Sequence, residues 1–196
     1  QAPVFPGLPA IWKANAAQTY TAFSEITEDM NEKMALLQKA LRLYIQARMQ
    51  NPYLSTAWNA HAAGTYARLA YMMKDMTQKT TALQNSLQLY NQALIDYPDS
   101  PALWKANTAC ANVALAEITQ DVAAKKAFLQ KAVALYANAV KQDSSLSHRW
   151  TEKMSLAYRM LIKIISREVL EPRNAEKKSM LVHECLTLLE KTKDLE

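Results

Sequence analysis

The chain has 196 residues, a formal charge of +5 and a mean hydropathy of −0.22. Half of it is hydrophobic, yet no run approaches the eighteen or so uninterrupted apolar residues that a bilayer span needs. Basic and acidic side chains are interleaved, so the small positive excess builds no basic arm and argues against nucleic acid as a partner.

Two glycines against abundant Ala, Leu, Gln and Lys predict a largely helical protein. Residues 1–8, QAPVFPGL, read as an apolar, proline-bearing extended leader. A chain that starts at Gln1 without Met fits an exported protein whose signal segment was removed, so a periplasmic or extracellular location is expected. From Pro9 onward Trp12, Ala16, Thr19, Phe23 and Ile26 step by four, three, four and three, which is one stripe of an amphipathic helix. A polar break, TEDMNEK, precedes a second stripe made of Leu37, Ala40, Leu41, Tyr44 and Ala47. NPYLS ends that helix, because the residue before a proline is pushed out of helical geometry.

The same hairpin then recurs. Trp58, Ala62, Thr65, Leu69 and Met72 open the second unit, and Leu83, Leu87, Tyr90 and Ala93 close it before YPDSP. Trp12, Trp58, Trp104 and Trp150 lie at intervals of 46. Superposition at that shift aligns Phe23, Leu69, Leu115 and Leu161, and also Ile26, Met72, Ile118 and Ile164. In the second helices it aligns Leu43, Leu89, Leu135 and Leu181, then Tyr44, Tyr90, Tyr136 and Val182, then Ala47, Ala93, Ala139 and Cys185. Half of residues 9–54 recur identically in 101–146. A fixed period of this length signals stacked supersecondary units. Four repeats are expected, at about 9–54, 55–100, 101–146 and 147–196, in a single solenoid domain of about eight helices. The tryptophans, with Tyr44, Tyr90 and Tyr136, are the expected buried anchors.

The second helices carry a further pattern: Ala40-x3-Tyr44 then Pro52, Ser86-x3-Tyr90 then Pro98, and Ala132-x3-Tyr136 with Ser144 in the proline position. From each proline the next tryptophan follows in six steps, as in Pro52–Trp58 and Pro98–Trp104. This spacing resembles the tetratricopeptide (TPR) repeat, in which a proline ends one hairpin and a tryptophan begins the next. The repeat is longer than the family's 34 residues, the Leu-Gly pair after the tryptophan is missing, and Tyr20, Tyr66 and Tyr158 come one residue late. HEAT and armadillo repeats share the 40–47-residue length and remain alternatives. The resemblance implies an all-α, right-handed solenoid of four enlarged TPR-like hairpins.

It also implies a concave face lined by the first helices. The corresponding positions are Lys13, Ala17 and Tyr20; Asn59, Ala63 and Tyr66; Lys105, Ala109 and Asn112; and Thr151, Ser155 and Tyr158. The family's carboxylate clamp needs Asn where Ala17 and Ala63 stand, so that specificity does not transfer.

Signatures of catalysis are missing. His61, His148 and His183 are dispersed, and HECL at 183–186 lacks the second histidine of a zinc-protease motif. There is no glycine-rich phosphate loop, paired-cysteine metal spacing or nucleophile elbow, so no enzyme activity, cofactor or metal is expected. Cys110 and Cys185 read as small apolar fillers. Arg159, Lys163 and Arg167 form a basic stripe expected to be solvated. The expected function is a scaffold that binds a protein or peptide through its first helices. The alternative is a subunit that polymerises head-to-tail through its terminal hairpins and the leader.

Overall fold

A computed structural model describes residues 9–171, 177–193 and 195, so the leader at 1–8 lies outside the described residues. Among the described residues there are eight α-helices: α1 (Ala10–Ile26), α2 (Met30–Gln50), α3 (Ser55–Met72), α4 (Met76–Asp96), α5 (Ala102–Ile118), α6 (Val122–Gln142), α7 (Ser147–Leu170) and α8 (Lys178–Lys193). Short 3₁₀ turns at Pro52–Leu54 and Ser144–Leu146 lead into α3 and α7. Each odd-numbered helix packs on the next even one, giving an all-α helical repeat of the solenoid class. Two compact units, Gln1–Ser100 and Pro101–Glu196, divide the chain between the second and third repeats.

The hairpin turns are built by a signal that hydrophobic periodicity does not reveal. Asp29 Oδ1 accepts a hydrogen bond from Glu32 N at 2.7 Å, and Asp75 Oδ1 from Gln78 N at 2.7 Å. Asp121 Oδ1 accepts from Ala123 N at 2.8 Å and Ala124 N at 3.4 Å. These aspartates recur with the 46-residue period and cap α2, α4 and α6, satisfying amides that a helix leaves unpaired at its start. The fourth position is Arg167, which offers no acceptor. There α7 runs on to Leu170 and α8 starts only at Lys178. The fourth repeat therefore leaves the register expected for it. Val182, aligned in sequence with the buried Tyr44, Tyr90 and Tyr136, is 39% exposed, and Cys185 is only half-buried. α8 instead turns Leu181 and Thr192 inward, and Leu188 packs against the core of its unit.

The second-helix tyrosines Tyr44, Tyr90 and Tyr136 are all closed off from water. Their hydroxyls reach toward the first helix of their own hairpins. Tyr136 Oη lies 3.0 Å from Cys110 Sγ, which Lys153 Nζ also approaches at 3.2 Å. The equivalent place under Tyr90 is Gly64, where an added Cβ would stand 3.1 Å from the Tyr90 hydroxyl. Both cysteines are free thiols, and Cys185 Sγ lies 3.6 Å from Ser166 Oγ.

The tryptophan stripe divides by position. On α7, Trp150 and Met154 are buried among the alanines of α5 and α6, with Tyr136 and Tyr158 beside them. On α3, Trp58 is half-buried and packs against the cluster formed by α1, α2 and α3, while Ala62, Thr65 and Leu69 are buried. Trp104 is half-buried. On α1 the expectation fails: Trp12 is 64% exposed, Phe23 53% and Ile26 77%. The physical reason is the packing order. The stripe of α3 is closed by α2 and that of α7 by α6, whereas no described element precedes α1. α1 buries its other face, with Ala14, Ala17 and Ser24, against its own hairpin partner.

One core position is chemically mismatched. Ser86 is fully buried, and its hydroxyl has no hydrogen-bond partner among the described residues. Ala40 and Ala132 occupy the same place in the neighbouring repeats. An orphaned buried hydroxyl costs about 1–3 kcal/mol. Ser86→Ala is therefore expected to raise the thermal midpoint, and an unchanged or lower midpoint in a melting experiment would contradict that burial.

Candidate functional site

Seven side chains were expected to form an open face on the first helices, and the structure closes most of them in. Lys13, Asn59, Asn112 and Tyr158 are buried, and Tyr20, Tyr66 and Lys105 are half-buried. The cause is the neighbouring second helices: Lys105 and Tyr20 meet the second helix of their own hairpin, whereas Asn59 and Tyr158 are covered by the hairpin before them. Lys105 Nζ donates to Gln142 Oε1 on α6 at 2.7 Å, and Lys39 on α2 sits 5.8 Å above the Tyr20 ring. Asn112 Nδ2 donates to Thr108 O at 2.9 Å, leaving Oδ1 without a partner among the described residues. Burial pushes the Tyr158 hydroxyl above the usual tyrosine range.

Two of the seven, Asn59 and Tyr66, do reach an opening, but from the other layer. In the Gln1–Ser100 unit α2 and α4 both pack on α3 without packing on each other, so α3 forms a floor between two walls. Two adjoining hollows follow this groove, with volumes of about 180 and 360 Å³, and both are lined by Tyr66 and Asn85. The smaller has Arg48 and Ile45 on the α2 wall, Gln88 on the α4 wall, and Trp58 and Asn59 on the floor. The larger is apolar at its base, where Leu41, Leu69, Met73 and Ala82 meet, with Gln38, Gln78 and Thr81 above.

The α4 wall and Arg48 escape a reading that looks for columns shared by all repeats. Gln78, Thr81, Asn85 and Gln88 step by three, four and three, one face of a helix. The equivalent residues of α6 are Ala124, Ala127, Lys131 and Ala134. Arg48 stands where α4 and α6 carry Leu94 and Val140. In α2 the same places hold Glu32, Ala35, Lys39 and Arg42, so the signal in the sequence was a pair of uncharged amides, Asn85 and Gln88, where α2 carries two cations, and a cation, Arg48, where α4 and α6 are aliphatic. Arg48 Nη1 donates to Asn59 Oδ1 at 3.3 Å, and no carboxylate lies within ion-pair distance of it among the described residues. No acidic residue lines either hollow.

Tyr44, which lines the smaller hollow, stacks on one face of the otherwise exposed His61, with ring centroids 6.1 Å apart and planes at 10°. Burial pushes the Tyr44 hydroxyl up to about 12, against the opposing pull of a Thr21 hydrogen bond and the Arg68 charge. Burial, and secondarily Arg68, holds the His61 imidazole below its ordinary 6.5. The unfolded chain thus takes up this proton first as pH falls. Stability from His61 is intact above pH 6.5 and declines as pH drops from there toward the lowered folded value. His61→Gln is expected to flatten the fall in melting temperature below pH 6.5; an identical profile in the variant would contradict the shift.

The other charged features are peripheral. Arg159, Lys163 and Arg167 are exposed along α7. A further hollow of about 550 Å³ beside the start of α6 holds Lys126, paired to Glu168 at 3.5 Å and Glu184 at 3.0 Å. His148 meets Glu152 at 3.3 Å on the surface. Among the described residues no group of His, Cys, Asp or Glu is arranged to hold a metal ion, and no helix is long and apolar enough to cross a membrane.

No family model and no curated protein matches the chain. The chain is similar to the crystal structure of a de novo designed helical repeat protein, with 12% identity, 95% of each chain covered and a TM-score of 0.41.

Proposed function

We propose that the protein is a non-enzymatic, TPR-like interaction scaffold that holds a protein or peptide in the groove between α2 and α4. The supporting observation is the α4 wall. Asn85 and Gln88 face an open hollow with no side-chain hydrogen bond among the described residues, in a place where the next unit carries Lys131 and Ala134. Amides offer a donor and an acceptor each, and a bound chain would satisfy both. The test is selection of binders from a random peptide display library against the purified chain, followed by Asn85→Trp, which fills the groove. Binding lost in a variant with unchanged circular dichroism supports the reading. Binding retained by Asn85→Trp for every selected peptide contradicts it.

A second reading is favoured by a separate observation, the exposed Trp12, Phe23 and Ile26 on α1. Their equivalents on α3 and α7 are covered by a second helix, so the surface that fits them is a second-helix face. Val182, Leu186 and Leu189 are exposed on α8 and give such a face to another copy in head-to-tail contact. The polymer proposed from sequence also involved the leader, which lies outside the described residues. Sedimentation velocity should show mass growing with concentration, and Phe23→Glu should abolish the growth. A monomer at every concentration would remove this reading.

A further inference from the structure

We infer that the α2–α4 groove reads an extended, acidic segment of a partner protein, with a carboxylate on Arg48 and an apolar side chain about three residues away in the larger hollow. This builds on the groove reading above and adds the chemistry of the ligand.

Charge comes first. Arg48 is half-buried, has no carboxylate within ion-pair distance among the described residues, and lies in a groove without acids. A guanidinium removed partly from water is costly to leave unpaired, and its planar fork matches a carboxylate. Asn59 occupies only part of that donor capacity, through the single 3.3 Å bond to its Oδ1. The repeat supplies the control. Leu94 and Val140 serve the same helical position, so the fold itself does not require a cation there.

Spacing comes second. Leu41 and Arg48 are seven residues apart on one wall, and Gln78 and Asn85 are seven apart on the other. At 1.5 Å per helical residue each interval is about 10 Å along the groove. An extended chain advances about 3.3 Å per residue, so the same interval spans about three residues. The polar and apolar hollows thus lie one Leu-x-x-Glu interval apart. The free amides of Asn85 and Gln88 favour an extended backbone over a helix, because a helix has already paired its own N–H and C=O groups.

The experiment titrates the whole chain with short peptides blocked at both ends, so that no terminal carboxylate contributes. The probes are Ser-Leu-Ser-Ser-Glu-Ser and its reverse-order counterpart Ser-Glu-Ser-Ser-Leu-Ser, each also with Gln or Lys for Glu and Ser for Leu. Binding is read by amide chemical shifts at up to millimolar peptide. The better acidic order is expected to move the resonances of Asn59, Tyr66, Asn85 and Gln88. Replacing Glu by Gln is expected to weaken it about tenfold or more, and Leu by Ser by a similar factor. Arg48→Leu, the residue of the neighbouring repeat, should keep the fold, lose the preference for Glu over Gln, and leave the dependence on Leu.

Equal binding of Glu and Gln peptides overturns the inference, as does a Glu preference that survives Arg48→Leu, or no binding of either order at millimolar concentration. The peptide series needs no variant, so an unstable Arg48→Leu would not shield the inference. Display-selected peptides that lack acids but are blocked by Asn85→Trp would end the acidic-ligand inference and leave the groove reading standing. Selected peptides indifferent to Asn85→Trp would end the groove reading.

Discussion

Trp150→Ala is expected to destabilise the Pro101–Glu196 unit by about 3–5 kcal/mol, and Trp12→Ala to change stability by less than about 1 kcal/mol. The two indoles occupy equivalent places in the repeat, so the contrast isolates burial from chemistry. Trp150 is 4% exposed and fills the space left by Ala102, Ala106 and Ala109 on α5 and Ala132 and Ala139 on α6. Alanines leave little room to collapse inward, because their side chains have no rotamers with which to refill a cavity. Trp12 has most of its surface in water already, so truncation removes little burial. Urea unfolding of both variants measures the difference. Equal losses would mean that the stripe is covered at both ends.

Tyr136→Ala should cost a comparable amount, about 3–5 kcal/mol, while Tyr136→Phe should cost only about 1 kcal/mol. The ring is fully buried in the cluster that joins α5, α6 and α7, so its removal opens a cavity where three helices meet. The hydroxyl makes a weak contact with Cys110 Sγ at 3.0 Å, and sulfur is a poor hydrogen-bond partner. If the phenylalanine variant were as damaged as the alanine variant, the hydroxyl and not the ring would be the stabilising group. Hydrogen exchange would then show whether the loss is confined to the amides of α5–α7.

Much of the fold could be read from repetition. A fixed interval between tryptophans is enough to mark helix hairpins, because a helical stripe and a proline stop can recur in step only if the same supersecondary unit does. What repetition hid was of two kinds. The first was local chemistry outside the hydrophobic pattern. Asp29, Asp75 and Asp121 carry the turns, and with Arg167 in their place α7 runs on to Leu170, so alignment of Val182 and Cys185 with the earlier second helices misled while that of Leu181 held its burial. The second was position in the array. Among the described residues α2 covers the α3 stripe and α6 the α7 stripe but none covers that of α1, so sequence assigns Trp12 and Trp150 the same role while packing gives them opposite ones.

The candidate site was hidden for a related reason. Resemblance to TPR repeats directed attention to the first-helix column, which here is largely closed by second helices of the same and of the preceding hairpin. The groove lies instead between second helices, and its lining departs from the repeat in two of them: Arg48 stands against Leu94 and Val140, and Asn85 and Gln88 stand against Lys39 and Arg42 in α2 and Lys131 and Ala134 in α6. In a repeat protein the shared columns report the scaffold.

Four single-tryptophan variants, with the other indoles replaced by phenylalanine, test the central claim most directly, since hairpin-on-hairpin packing both opens the groove and bares the α1 stripe. Acrylamide quenching at low micromolar concentration should rank Trp12 as the most accessible indole and Trp150 as the least, with Trp58 and Trp104 between them. Four equally shielded indoles, or a shielded Trp12 beside an open Trp150, would contradict the packing from which the groove follows.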